Sequence, residues 1–109
     1  MKYKKDWENF KEAKLKEEND HLIQIDKDLP RTFVDNHYFE NEKREGRIRL
    51  ERLLKRFCLI NKKIGYCQGM NEIAATIILV VEDDIEAYSI FCEVIQHMKG
   101  RRKNPLLFI

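Results

Sequence analysis

An all-α fold is predicted for this 109-residue chain by three observations. Apolar residues recur at helical spacing in successive stretches, which predicts about five helices. The 4 Gly and 2 Pro leave little room for long linkers. Only one β-branched run, Thr76-Ile77-Ile78-Leu79-Val80-Val81, reads as a strand, and it has no comparable run to pair with. Its neighbours keep helical spacing, so it too is assigned to a helix.

Taken in order, Tyr3, Trp7, Phe10 and the stem of Lys14 predict an amphipathic helix over about 3–18. Leu22, Ile25 and Leu29 share a face of a second helix over 19–29, and Pro30 restricts the residue before it and should end that helix. Between Arg31 and Asn41 the period is lost, and Asp35-Asn36-His37 has the composition of a turn. Ile48, Leu50, Leu53, Leu54, Phe57, Cys58 and Ile60 then mark the apolar side of a third helix, with basic residues opposite. Asn61-Lys62-Lys63 ends it and Ile64-Gly65-Tyr66 connects it to the next. A fourth helix runs from Gln68 or Met70 to Val81. Met70, Ile73, Ala74, Ile77, Ile78 and Val81 share one face, but Ala75, Leu79 and Val80 make the other side apolar as well, which predicts a central, fully buried helix. Asp83 with Glu86 three residues later has the form of a capping box. It opens a fifth helix carrying Tyr88, Phe91, Cys92, Ile95 and Met98, stopped at Gly100. The chain finishes on Pro105-Leu106-Leu107-Phe108-Ile109, an apolar run expected to pack against the helices or against something beyond this chain.

Composition removes several function classes. Cys58, Cys67 and Cys92 form no Cys-x-x-Cys or Cys/His spacing, so no metal site is expected and the thiols read as free in a reducing compartment. No apolar signal core follows Met1, and the run Ile73–Val81 is too short to cross a bilayer. Cytoplasm without direct membrane insertion is therefore expected. The net charge of +2 says little about partners, but the charge is segregated. Residues 43–63 hold nine basic side chains against Glu45 and Glu51, whereas residues 64–98 hold acidic charges only. A basic helix can bind nucleic acid, but no aromatic platform is interleaved here, so a solvated face and no nucleic acid are expected. His21, His37 and His97 lie far apart and near no hydroxyl or thiol motif. Cys67 has nothing nearby to activate it except a helix N-terminus. The sparse glycines form no phosphate-cradling loop, so the chain should bind no nucleotide of its own.

Two segments stand out. Ile25-Asp26-Lys27-Asp28-Leu29-Pro30-Arg31-Thr32 sets an arginine beside a proline, and Gly65-Tyr66-Cys67-Gln68-Gly69-Met70-Asn71 sets a glutamine at a helix start. An arginine neutralises charge on a transferring phosphoryl group, and a glutamine holds the attacking water through one carbonyl and one amide. In this order the segments resemble the I-x-x-D-x-x-R-T and Y-C-Q-G signatures of the TBC domain, a family of activators acting mainly on Rab GTPases. The resemblance implies a partial TBC-type domain over 1–109, because the family's R-x-x-x-W opening is absent (Tyr3 stands four residues before Trp7) and its later helices are missing.

It further implies Arg31 as an arginine finger and Gln68 as a glutamine finger acting in trans. Asp28 would restrain the Arg31 guanidinium, Thr32 and Tyr66 would support the two finger segments, Gly69 would allow a close backbone approach, and Asn71 would hold the loop. The implied partner is a small GTPase of the Rab family in vesicle trafficking, which would also make any endomembrane contact. GTP and Mg would belong to that GTPase, leaving this chain no cofactor. The implied activity is stimulation of the partner's GTP hydrolysis. A non-catalytic GTPase-binding or scaffold module is the alternative.

Overall fold

The computed structural model describes residues 2–100, and the apolar run 105–109 with its expected packing lies outside them. Five α-helices follow in chain order: α1 (Lys2–Glu8), α2 (Asp20–Asp28), α3 (Glu45–Ile60), α4 (Met70–Val80) and α5 (Asp84–Gly100). Short 3-10 turns cover Glu12–Lys16, Leu29–Arg31 and His37–Phe39. No strand occurs among the described residues, and the fold is all-α as the periodicity predicts. None of the described helices is long and apolar enough to cross a membrane.

The organising helix is α3. It packs against α2, α4 and α5, burying Leu50, Leu53, Leu54, Phe57 and Cys58. Phe57 meets Phe91 of α5 edge-on, with ring centres 4.9 Å apart, and also contacts Tyr88. Tyr88 in turn supports Trp7 and Tyr3 of α1. Aromatic pairs of this kind add to plain apolar burial, so α1 is held by ring packing on α5.

Three expectations change. The single helix expected over 3–18 is broken after Glu8 and resumes as a 3-10 turn at Glu12. Arg56 of α3 supplies the reason. Its guanidinium lies 4.3 Å from the Trp7 ring centre and 5.1 Å from that of Phe10. It also donates to the Trp7 carbonyl (2.9 Å) and to Glu12 (2.8 Å). The cation draws the chain around itself, and a straight helix would lose those contacts.

The second change concerns burial. The fourth helix is not buried all round, because Leu79 is 43% and Val80 80% exposed. Its inner face holds Met70, Ala74, Ala75, Ile77 and Ile78, whereas Thr76, Leu79 and Val80 face outward. Third, α3 does not present all its basic residues to water. Arg49 is buried: it donates to Asp84 (2.6 Å), to the Tyr38 hydroxyl (3.0 Å), and to the carbonyls of Ile78 (3.2 Å) and Val81 (2.6 Å). One side chain thereby satisfies the open carbonyl end of α4 and anchors the start of α5.

The predicted cap at Asp83 holds, and Asn19, placed inside the second helix by the sequence, caps it instead. Asn19 caps α2 by accepting from the His21 amide at 2.7 Å, and Asp83 caps α5 by accepting from the Glu86 amide at 2.8 Å. The α2 helix ends at Asp28, just before Pro30, as expected. Pro30 sits inside the 3-10 turn Leu29–Arg31 that continues α2, at a position that requires no amide donor.

Candidate functional site

The two motif segments meet between the end of α2 and the start of α4. The chain emerging from α2 turns once more through Leu29–Arg31, which leaves Arg31 exposed and buries Thr32 to 1%. The next residue, Phe33, holds a left-handed φ of +50°, uncommon for a side-chain-bearing residue, and packs edge-on against Phe39. On the other side, Cys67 and Met70 close a tight turn, the Met70 amide donating to the Cys67 carbonyl at 3.0 Å. Gln68 lies exposed in that turn. Gly69 follows it with φ +104°, a conformation that β-carbon sterics disfavour. A Cβ at Gly69 would meet nothing within 4 Å of this chain, so within the chain it is the left-handed turn that calls for glycine.

One carboxamide joins the two sides. Asn71 donates from Nδ2 to the Thr32 hydroxyl (2.8 Å) and accepts at Oδ1 from the Gly69 amide (3.1 Å). Thr32 is the neighbour of Arg31 and Gly69 the neighbour of Gln68. The hydroxyl of Thr32 both accepts and donates, its proton going to the Asp28 carbonyl at 2.7 Å. Arg31 and Gln68 thus flank a rigid polar bridge while taking no part in it.

Asp28 has a different duty from restraining Arg31. Its carboxylate is 3% exposed and accepts from the Tyr66 hydroxyl at 2.5 Å and from Gln24 at 3.1 Å. No hydrogen bond or ion pair joins it to Arg31 among the described residues. A buried carboxylate needs such donors to offset its desolvation, and here one comes from the glutamine loop and one from α2 itself. Burial, and then the bond to Asp28, hold the Tyr66 phenol well above its ordinary range. Tyr66 is therefore a protonated donor, and the pair is a second tie between the segments. A third comes from His21, whose Nδ1 accepts from the Tyr66 amide at 3.2 Å.

Neither Gln24 nor His21 belongs to the residues singled out from the sequence. Gln24 stands one helical turn before Asp28, so the i, i+4 rule was available to find it. His21 reaches across 45 residues, and nothing local marks it.

The family profile RabGAP-TBC, described as Rab-GTPase-TBC domain, matches residues 1–107. The chain belongs to this family. Among TBC-containing relatives, Small G protein signaling modulator 3 of Rattus norvegicus is 34% identical over 93 residues, which is 83% of this chain and 12% of that protein. TBC1 domain family member 2A of Mus musculus is 43% identical over 65 residues, 60% of this chain and 7% of its own. TBC1 domain family member 17 of Mus musculus is 29% identical over 76 residues, 70% of this chain and 12% of its own. The chain thus spans only 12% or less of these relatives' lengths, a segment of each.

Several basic side chains on and beside α3 pair within the chain. Arg44 pairs with Glu40, Arg52 with Asp84, Lys55 with Asp26 and Glu51, and Arg56 with Glu12. Together with Arg49, these pairs place five of the nine basic residues of 43–63 in contacts with acidic side chains of the same chain.

Proposed function

We propose that this chain stimulates GTP hydrolysis by a small GTPase of the Rab family, with Arg31 as the arginine finger and Gln68 as the glutamine finger. The carrying observation is the Asn71 bridge: the two polar side chains such chemistry requires are exposed on either side of one buried hydrogen-bonded frame. Membership of the Rab-GTPase-TBC domain family supports the partner class. A relative's name, Small G protein signaling modulator 3, points the same way.

In the proposed mechanism the GTPase brings GTP and Mg, and this chain brings two side chains. As the γ-phosphoryl group separates, charge grows on its oxygens and on the β–γ bridge. The planar, permanently charged Arg31 stabilises that charge. Gln68 orients the water in line with the bond that breaks, its carbonyl accepting from the water and its amide donating to the phosphoryl oxygen. No proton leaves either side chain. An arginine acting this way contributes about 10³ to 10⁵ in rate.

The test is single-turnover GTP hydrolysis by a panel of Rab GTPases with wild type, Arg31→Ala and Gln68→Ala. Stimulation of one member, returning to the rate of the GTPase alone in Arg31→Ala, is expected. Stimulation equal in all three forms would sink the mechanism. Tight binding of a GTP-loaded Rab by a folded chain with no rate change would make this a binding module.

A further inference from the structure

His21 is absorbed by neither finger role, yet it lies against the loop that carries Gln68. Its Nδ1 accepts from the Tyr66 amide at 3.2 Å, a bond that an imidazole nitrogen makes only with its lone pair. The same ring lies against Gly65, where an added Cβ would fall on Nε2 and Cε1. Gly65 also holds a left-handed φ of +66°. One imidazole therefore contacts two consecutive residues of the loop, a hydrogen bond to one and a face against the other.

The far side of the ring's attachment is equally fixed. His21 sits in the first turn of α2, and its own amide is held by the Asn19 cap at 2.7 Å. One helix thus presents His21 to residues 65 and 66 at its start, and Asp28 to the Tyr66 hydroxyl at its end. Tyr66 is gripped at both its backbone and its side chain. From Tyr66 the chain needs only Cys67 to reach Gln68.

Other features lead less far. The groove between the 3-10 turn at Glu12 and α3 is about 300 Å³, but its cations Arg52, Lys55 and Arg56 are already paired within the chain. The outward face of α4 at Leu79 and Val80 has nothing beside it to identify a partner.

We infer that His21 is a positioning residue for the proposed glutamine finger, its Nδ1 and ring face fixing the loop 65–66 on which Gln68 is carried. The inference rests on the role proposed for Gln68. It concerns a residue outside both motifs, and it separates two contributions of the side chain, an acceptor and a bulk.

Two variants of the whole chain separate them. His21→Asn sets Oδ1 near the position of Nδ1 and keeps the acceptor. His21→Leu keeps bulk against Gly65 but offers no acceptor. Amide hydrogen exchange at Tyr66 and the amide resonance of Gln68 report the loop, and single-turnover hydrolysis by a responsive Rab GTPase reports the finger. In His21→Leu the Tyr66 amide should exchange about tenfold faster, the change expected for one hydrogen bond. The Gln68 resonance should move. The stimulated rate at saturation should fall about tenfold or more while half-saturation stays within about twofold, as misplacement rather than lost docking predicts. His21→Asn should restore most of each.

Unchanged Tyr66 exchange in His21→Leu would overturn the inference, and so would His21→Asn behaving like His21→Leu. A loosened loop with an unaltered saturating rate would also overturn it. Should wild type stimulate no GTPase, the proposed function fails on its own. Tyr66 exchange and the Gln68 resonance would then still decide whether His21 fixes the loop.

Discussion

Arg31 and Gln68 are exposed beside residues that are almost completely buried, Thr32 on one side and Met70 close by on the other. Neither makes a side-chain hydrogen bond or ion pair among the described residues. Their removal should therefore cost the fold little. Thermal unfolding of Arg31→Ala and Gln68→Ala is expected within about 0.5 kcal/mol of wild type, so that any lost stimulation is chemical rather than structural. Asn71→Ala should behave differently. It leaves the Thr32 hydroxyl without its donor and the Gly69 amide without its acceptor, at a cost of about 1–3 kcal/mol in denaturant titrations. It should also lower stimulation at a GTPase concentration where each finger variant still has its fold. At this scale the motifs drew attention to Arg31, Gln68, Thr32 and Asn71 by their types and order, but not to the bonds that join Thr32, Asn71 and Gly69. They misassigned Asp28, since a carboxylate three residues before an arginine gives no sign that a tyrosine 38 residues away will claim it.

Among the elements, periodicity located the helices and failed where a distant side chain intervened. The break after Glu8 follows from Arg56, which bonds the Trp7 carbonyl 49 residues before it. The exposed face of α4 was hidden by its composition, since a helix apolar on both sides gives no phase from which to choose the buried one. Arg49 was read as one cation among many on α3. Burial works against its charge, but the bonds with Asp84 and Tyr38 outweigh that and raise its pKa. Removing it would leave Asp84 without one of its two partners and the carbonyls of Ile78 and Val81 open. Arg49→Ala should destabilise the chain by about 3 kcal/mol or more, read as a shifted denaturant midpoint. Gly69→Ala carries a different cost. With open space around the position, only the left-handed backbone opposes the methyl group, and about 1–2 kcal/mol is expected.

At the scale of the whole molecule, four buried thiols and phenols among the described residues shift in the same direction. Burial pushes the thiols of Cys58 and Cys92 up to about 11 from 9.0. The phenols of Tyr66 and Tyr88 are raised well above 10.0, again mainly by burial. All four hold their protons more tightly folded than unfolded. Their contribution is complete below about pH 9 and is lost as pH rises, first through the thiols and then through the phenols. The melting temperature should be flat in these groups from pH 7 to 9 and fall progressively from 9 to 11. Thiol labelling at pH 7.5 offers a check on the same burial. Cys58 and Cys92 should resist a thiol reagent until denaturant is added, whereas Cys67 in the half-buried loop should react first. The free thiols and the all-α class were legible from spacing and composition. The packing order was not, because a helix at the centre and one at the edge carry the same periodic signature.

The Asn71 bridge has a consequence for docking error. Two side chains that must reach one phosphate and one water can miss in two ways, together or independently. An incoming protein can correct a shared miss by rotating slightly as a rigid body. It cannot correct an independent one without deforming one loop. Because Thr32 and Gly69 are bonded to the same carboxamide, small excursions of the two segments are correlated, and their error is mostly of the correctable kind.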